Sequence, residues 1–565
     1  MATSKSNVVS TDVFIAGGGL SGLVAAIKIK EENNGLDVVV ADKGGIGWAG
    51  QTPTGGGHLI TPAPGDDLNP WMKWVVQKGE YLTNQEWLYN FGSSMYDSLS
   101  ELNTWGVPFL RNPEGKVDVE APPGWSDKRA VWVTHRVLLH LKKIALAKGV
   151  KLLNKIEVVD LIKADNQIAG AVGFSILTGE FYVFKSRATI LANGPGSRKN
   201  RKLFSMCCGE GIAAAYRAGS EHLHSEFGIG GTPQFKDYEV WWRGTPQKGM
   251  INNKGEYFFE KYYPGGMENI ANMTLAMYKE VEAGRGPIYV DLTRSPEQFD
   301  ADGLGGCRQY KWTFTQGIFL DPERILRDKG GIDLRRQKAE WVPNPTWRLG
   351  NIKVDLNCKS PLQGLWAVGD TIGSGAALEG AFSFNTYPGW GLSLAVVTGL
   401  KAAKNVAKLA PEFPKPKVKK EEQDRLKERL FAPLKRKSGP EPYTAITKIQ
   451  EAVIPIKVYF IREGSRLKKA LGTIEEVKKE LLTKIKAADP HELLRYHEAE
   501  SMAICSEMTL RAALLRTESR GAHIREDYPD KDNSNWLKWT VIKKDGEKMA
   551  LSTIPIPIQT YKFKP

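Results

Sequence analysis

The sequence predicts an α/β fold: a Rossmann-like dinucleotide-binding domain, an inserted α+β segment and a C-terminal helical domain. Three observations carry this. The fingerprint Gly17-Gly18-Gly19-Leu20-Ser21-Gly22 sits between the strand-like run Thr11–Ala16 and the helix-like run Leu23–Lys30. A tract from about Ser225 to Asn344, rich in Trp, Tyr, Gly and charge, interrupts the pattern, which resumes at Gly350–Gly369. A Pro-rich charged linker, Ala410–Lys420, then leads into helical periodicity. The expected boundaries are 1–224 and 346–410 for the two parts of the dinucleotide-binding domain, 225–345 for the insertion and 411–565 for the helical domain.

The fingerprint comes first because it fixes a site. Gly17, Gly19 and Gly22 fit G-x-G-x-x-G: one makes the tight turn, one admits phosphate to the backbone, one packs helix on strand. At Leu20 and Ser21 the helix start offers N–H donors at the positive end of its dipole. About 20 residues on, Asp42 closes the apolar run Asp37–Ala41, where a carboxylate grips the adenosine ribose, with Lys43 beside it. Strand, helix, second strand and acid in that order separate this from a chance glycine loop.

Later elements follow from periodicity. After the Gly-rich loop Gly44–Gly57, Val133–Lys148 carries apolar residues at helical spacing. Val150–Lys163, Ala169–Ile176 and Glu180–Lys185 alternate as strands, the last two as a hairpin. Ala188–Ala192 is a short buried strand ending at Asn193-Gly194-Pro195-Gly196, and Gly364–Val368 another ending at Gly369-Asp370. Helices are expected at Leu392–Ala403 and Glu421–Leu430, and near Ala445–Glu463 and Thr473–Ala487.

Composition narrows the function classes. The chain has 565 residues, 41% hydrophobic, and no apolar stretch of the length a membrane span needs. Its polar start, Met1–Thr11, lacks a secretory core, so a cytoplasmic location is expected. Cys207, Cys208, Cys307, Cys358 and Cys505 show no C-x-x-C spacing, which argues against a disulfide framework, an iron–sulfur cluster or a metal centre. The net charge of +14 sits partly in Lys415–Lys437, a stretch of alternating sign that reads as a solvated helix and linker. Without a nucleic-acid motif, that balance points to an acidic protein partner or an anionic cofactor rather than nucleic acid.

These blocks resemble the flavoprotein family of succinate dehydrogenase, fumarate reductase, L-aspartate oxidase and the adenylylsulfate reductase alpha subunit. Leu191-Ala192-Asn193-Gly194 stands for the family's second A-T-G-type motif, and Gly364–Asp370 for the strand whose acid meets the ribityl chain of FAD. Gly284–Leu292 matches a capping-domain marker; Arg516–Pro529 with Trp536-Leu537 matches the C-terminal signature. The resemblance implies an FAD-binding domain with an inserted capping domain. The FAD-domain segments Ile46–Gly55 and Ala169–Gly194 look most like adenylylsulfate reductase. Implied FAD contacts are Gly17, Gly19, Leu20, Ser21, Gly22, Asp42, Lys43, Gly50, Gly55, Gly56, Val158, Ala192, Asn193, Gly194, Gly369, Asp370, Asn385, Gly389 and Trp390.

Departures from the family pattern bear on chemistry. Its flavin-linking histidine falls at Gly50, so FAD is expected to be held without a covalent bond. The F-H-P-T histidine falls at Gly231, the general-acid arginine at Asn272, the M-G-G-preceding histidine at Thr346 and the N-R-L-G arginine near Ser383. A dicarboxylate needs fixed cations, so succinate and fumarate are poor expectations. The histidine that adenylylsulfate chemistry would use is also absent, with Ala377–Glu379 in its place.

The catalytic candidates are His58, which follows Gly55-Gly56-Gly57 in a loop the family runs along the flavin, and Trp242 with Arg243. Trp241-Trp242-Arg243 would either line a pocket for an aromatic or nucleotide-like substrate or form an interface. Backbone N–H groups at Asn385–Gly391 could face the flavin O2. His222 and His224 have strand spacing, with Glu226 extending the row, and read as structural. His523 with arginines 516, 520 and 525 reads as a buried network with Glu518 and Asp527.

The function expected is that of an FAD-dependent oxidoreductase subunit, adenylylsulfate-reductase-like, acting on a small molecule that is not a dicarboxylate. With no iron–sulfur motif here, electrons would pass through an iron–sulfur, ferredoxin-like partner, which could also bring the complex to a membrane. The rivals are an electron-relay subunit without a substrate, a rebuilt fumarate reductase or succinate dehydrogenase site, and an oxygen-using oxidase.

Overall fold

The computed structural model describes residues 6–55, 57–62, 65–120, 130–134, 136–164, 166–200, 206–231, 233–238, 240, 246–264, 270–294, 322–343, 345–347, 349–382 and 389–565. Its centre is a sheet of seven strands. The first unit is β1 (Ser6–Ala16), α1 (Leu20–Glu32) and β2 (Val38–Asp42); a short strand, β3 (His58–Ile60), follows. β4 (Lys151–Asn154), β5 (Ile156–Ala164), β6 (Gln167–Ser175) and β7 (Phe181–Leu191) join β1 and β2 in the sheet. Six of its strands lie in the order β4-β2-β1-β7-β6-β5, and the seventh, Leu365–Ala367, pairs with β7.

In the parallel core β4-β2-β1-β7, β2 and the second half of β1 are buried on both faces, which is why Val38–Ala41 and Val13–Ala16 read as unbroken apolar runs, while β4 is a more exposed edge strand. β5, β6 and β7 form an antiparallel meander at one side. Two sequence expectations shift here. The run Val150–Lys163 is two strands, because Lys155 takes a positive φ of 62° between them. The runs Glu180–Lys185 and Ala188–Ala192 are one continuous strand, β7. Its middle does not break because Ser186 bonds Thr189 (3.0 Å) and Arg187 forms an ion pair with Asp12 (3.2 Å) and donates to the Pro411 carbonyl (3.2 Å), so the polar residues find partners in place.

Beyond the sheet, α2 (Glu210–Arg217) precedes β8 (Ile229–Gly231). A four-stranded antiparallel sheet drawn from Gln234–Phe235, Met250–Ile251, Ile288–Val290 and Ala339–Val342 packs with α3 (Ile270–Glu282) around Phe235, Met277 and Trp341. β9 (Pro345–Trp347) pairs with β8, and β10 (Leu365–Ala367) returns the chain to the main sheet beside β7. α4 (Trp390–Leu409) lies across α1.

Helix edges differ too. The helix expected over Val133–Lys148 spans Val137–Ala147, and the one expected near Thr473 starts at Gly464, capped by Glu463, whose carboxylate takes the N–H groups of Ser465 and Arg466. α5 (Pro490–Leu515) is the longest helix described, with Pro490 at its first position and Asp489 capping the Glu492 N–H at 2.8 Å. Over Ser501–Leu510 it is buried on every side, between the main core and a second core around Ile449, Leu467 and Met502. The C-terminal part is not wholly helical: Lys538–Asp545 and Lys548–Pro555 form a hairpin joined to His222–Leu223. Among the described residues no helix is long and apolar enough to cross a membrane.

Candidate functional site

The fingerprint glycines have three different jobs. Gly17 takes φ 112°, and a Cβ there would lie 2.2 Å from the Ala192 carbonyl oxygen. A Cβ on Gly22 would lie 2.0 Å from the Gly17 oxygen, so it lets α1 pack on β1. Gly19 has ordinary extended backbone (φ −75°, ψ −168°), and nothing lies within 4 Å of where its Cβ would be. Its glycine therefore answers to space outside the protein, not within it. The first turn of α1, at Leu20 and Ser21, has no capping side chain and no acidic residue, which leaves its N–H groups for an anion.

Asp42 lies where β2 ends, 2.7 Å from the Gly18 N–H and 2.6 Å from the Gly44 N–H, both of which donate to its carboxylate. Lys43 turns into the protein and holds Glu210 and Glu498. At the second crossover, Gly194 (φ 77°) donates its N–H to Thr371 at 3.0 Å, and Gly369 (φ 61°) donates to Thr398 at 2.8 Å. A Cβ on Gly369 would meet the Ser21 hydroxyl at 2.7 Å. Val368 donates to Leu191 at 2.9 Å, so Ala192, Asn193, Gly369 and Asp370 continue from paired strand ends beside the fingerprint. The residues fit the adenosine-diphosphate part of FAD: open space before Gly19 and an uncapped helix start for the pyrophosphate, and a carboxylate at the end of the second strand for the ribose. Val158 is buried in β5, Gly55 ends a short 3₁₀ turn, and Gly50 (φ 88°) has open space before it.

Around the expected flavin end, Gly389 (φ 86°) starts α4 without a side-chain cap. A Cβ there would lie 2.8 Å from Ile60 and 3.0 Å from the His58 ring. His58 is thus on strand β3 rather than in a loop. It is buried, faces Trp132 at 4.7 Å between ring centroids, and abuts the first turn of α4. The Trp390 indole is packed inward against Phe91 (5.5 Å) and Trp71 (5.9 Å), so what it presents at the helix start is backbone. Gly56, Trp241, Trp242, Arg243, Ser383 and Asn385 lie outside the described residues, as does Cys307.

A scan against family models matches the FAD binding domain over residues 12–381 and the fumarate reductase flavoprotein C-terminal region over 449–565. The chain belongs to the fumarate reductase and succinate dehydrogenase flavoprotein family. It is an FAD-dependent oxidoreductase flavoprotein subunit. A relative named for the CoM/CoB fumarate reductase of Methanothermobacter marburgensis is 25% identical, over 96% of this chain and 99% of that one. Among solved structures, quinol fumarate reductase FrdA of E. coli superposes with a TM-score of 0.84 at 20% identity, covering 98% of each chain. Adenylylsulfate reductase of Archaeoglobus fulgidus gives 0.77 at 21%, over 99% of this chain and 98% of that chain. At such identities the superpositions establish the fold alone.

In this flavoprotein, three of the positions named above as departures, Gly231, Asn272 and Thr346, lie on adjoining elements. Gly230 pairs with Thr346 and Gly231 with Pro345 across β8 and β9, and α3, which carries Asn272, packs against β8. The histidine row does not form: the strand ends at Leu223, His224 takes φ 54°, and Ser225–Phe227 is a 3₁₀ turn. Glu226 instead accepts from Arg516 (2.8 Å) and Thr540 (2.6 Å). His222 bonds Asn351 at 2.9 Å, and burial pushes both His222 and His224 down to about 4. The C-terminal signature is an ion network: Arg516 and Arg520 hold Glu518 at 2.8 and 2.7 Å, and Arg525 holds Asp527 at 2.7 Å. His523 bonds Arg462, and burial with the neighbouring arginines keeps it neutral, well below its ordinary value. Sequence reasoning misses Arg462 and the cluster of Glu210 and Glu498 around Lys43, since nothing in local spacing marks a residue that pairs across hundreds of positions.

Proposed function

We propose that this flavoprotein holds FAD without a covalent bond and exchanges electrons between a small molecule that is not a dicarboxylate and a separate iron–sulfur protein, in the manner of an adenylylsulfate reductase alpha subunit. One observation carries the reading of the substrate. Gly231, Asn272 and Thr346, where the family resemblance puts its dicarboxylate-reading and proton-donating cations, occupy adjoining elements and include no cation. A carboxylate pair needs fixed, preferably bidentate donors, and neutral side chains do not replace a guanidinium.

FAD, when bound, supplies the two-electron exchange. The chain's own residues would hold and orient it: the α1 first turn on the pyrophosphate, Asp42 on the ribose, Asp370 on the ribityl chain, and the α4 first turn at the flavin's polar edge. His58, whose ring lies against that turn, is the candidate proton carrier. With domain boundaries at 224, 345 and 410, the substrate would lie between the insertion and the flavin. The charge of +14 suits an acidic partner, and a cytoplasmic complex, membrane-associated through that partner if at all, is the matching location.

The name of the Methanothermobacter relative favours a second reading, a fumarate reductase with a rebuilt site. Anaerobic native purification tests the partner. Flavin bands with broad iron–sulfur absorption and a small Cys-rich companion are expected; a lone yellow protein would refute an obligate partner.

A further inference from the structure

The buried ion cluster around Lys43 has no part in the chemistry above. Lys43 directly follows Asp42, whose carboxylate is fixed by the Gly18 and Gly44 N–H groups. The Lys43 ammonium lies between Glu210, in the first turn of α2, and Glu498 of α5, the latter at 3.1 Å and 455 residues along the chain. Glu498 also pairs with Arg495 (2.7 Å) and Lys199 (3.0 Å). Glu210 has, besides Lys43, the Cys208 N–H at 2.9 Å. Both carboxylates are nearly inaccessible, at 4% and 2% exposure. Cys208, Glu210 and Glu498 could each turn a ligand atom to one point, but three cations already supply the positive charge there, so the cluster does not call for a metal.

At Lys43 and Glu498 burial opposes the charge, and the pairing outweighs it. Lys43 is held protonated well above its ordinary value, and Glu498 is held down at about 2. Breaking such a group from one side leaves a buried charge alone, which costs far more than losing an exposed pair. The end of β2 is therefore tied to α5, and α5 cannot leave without stripping part-buried Lys43 of one of its two carboxylates.

We infer that Lys43 is a positioning residue: through Glu210 and Glu498 it fixes the end of β2, and with it Asp42, so that docking of the C-terminal helix α5 sets the adenosine-binding end of the FAD groove. The inference rests on the reading of Asp42 as the ribose acid. It makes Glu498, on a helix of the C-terminal part, a determinant of cofactor affinity.

The test uses full-length apoprotein, with ADP binding followed by calorimetry and FAD binding by flavin fluorescence. Lys43→Met is expected to weaken ADP and FAD alike by at least about tenfold, and Glu498→Gln by roughly threefold or more, with Lys43→Arg within about threefold of wild type. The midpoint potential of bound FAD should not move, because the cluster touches the adenosine end. If Lys43→Met does not fold, Lys43→Met with Glu210→Gln removes both members of the buried pair and should fold while still binding ADP weakly. Unchanged ADP affinity in these variants, with only a lower melting temperature, would overturn the inference and leave Lys43 purely structural. Asp42→Ala separates the layers: unchanged ADP affinity there would overturn the ribose reading and the inference with it.

Discussion

Gly19 and Gly17 differ by two positions and should fail in opposite ways. The Cβ of a Val at 19 would meet nothing within 4 Å and needs no unusual backbone, so the expected cost to the apoprotein is the poorer helix cap, about 1 kcal/mol. Its side chain fills the space before the α1 first turn. Displacing a phosphate from two N–H donors forfeits about 1.5–3 kcal/mol each, roughly 10²–10⁴-fold in Kd. An Ala at 17 takes a left-handed φ, about 1–2 kcal/mol, and overlaps the Ala192 oxygen at 2.2 Å. That oxygen cannot retreat, since Ala192 donates to Ala16 at 2.7 Å and Gly17 to Ala41 at 2.8 Å. Overpacking adds about 1–3 kcal/mol. Denaturant unfolding of the apoproteins, with FAD fluorescence titration, reads both quantities. Gly19→Val is expected to be stable and FAD-blind, and Gly17→Ala unstable. Wild-type FAD affinity in Gly19→Val would refute the placement of the pyrophosphate.

Three further outcomes follow from the same geometry. His222 and His224 titrate near 6.5 when unfolded and near 4 in the buried folded state, so the unfolded chain takes up protons first; stability should fall as pH drops from about 6.5 to 4, and a His224→Gln variant should lose part of that slope. Arg516→Met strands the Glu226 charge in the core, leaving Glu518 to Arg520, and should cost about 3–5 kcal/mol in a denaturant titration, without changing the flavin spectrum of the folded fraction. Because Gly50 stands where the family resemblance puts the flavin-linking histidine, acid precipitation should release all the flavin into the supernatant; yellow colour kept in the pellet would contradict this.

The first βαβ unit is legible in the sequence because each of the three devices there is local: a glycine turn, a helix start, an acid at a strand end. The same locality explains the strand ending at Gly369. Legibility fails where satisfaction comes from afar. Ser186 and Arg187 look like a break in β7 until Thr189 and Asp12 are placed beside them. α5 carries no polar face to betray its period, since two cores claim opposite sides of it. Its Asp489-Pro490 start is the available signal. His58 reads as a loop residue because three glycines precede it, and pairing with Trp132 makes it a strand. The ion network of the C-terminal signature is legible as a set of charges, but Glu226, its fully buried partner from outside the signature, reads as part of a histidine row that the left-handed turn at His224 abolishes.

The most direct test of the central claim is anaerobic reoxidation. The FAD-loaded protein is photoreduced, then mixed in separate cells with fumarate and with adenylylsulfate, and the flavin absorbance is followed. The account predicts that fumarate leaves the flavin reduced while the adenylyl compound, or another substrate that is not a dicarboxylate, restores its colour. Prompt reoxidation by fumarate would contradict it and establish a dicarboxylate site built from other residues.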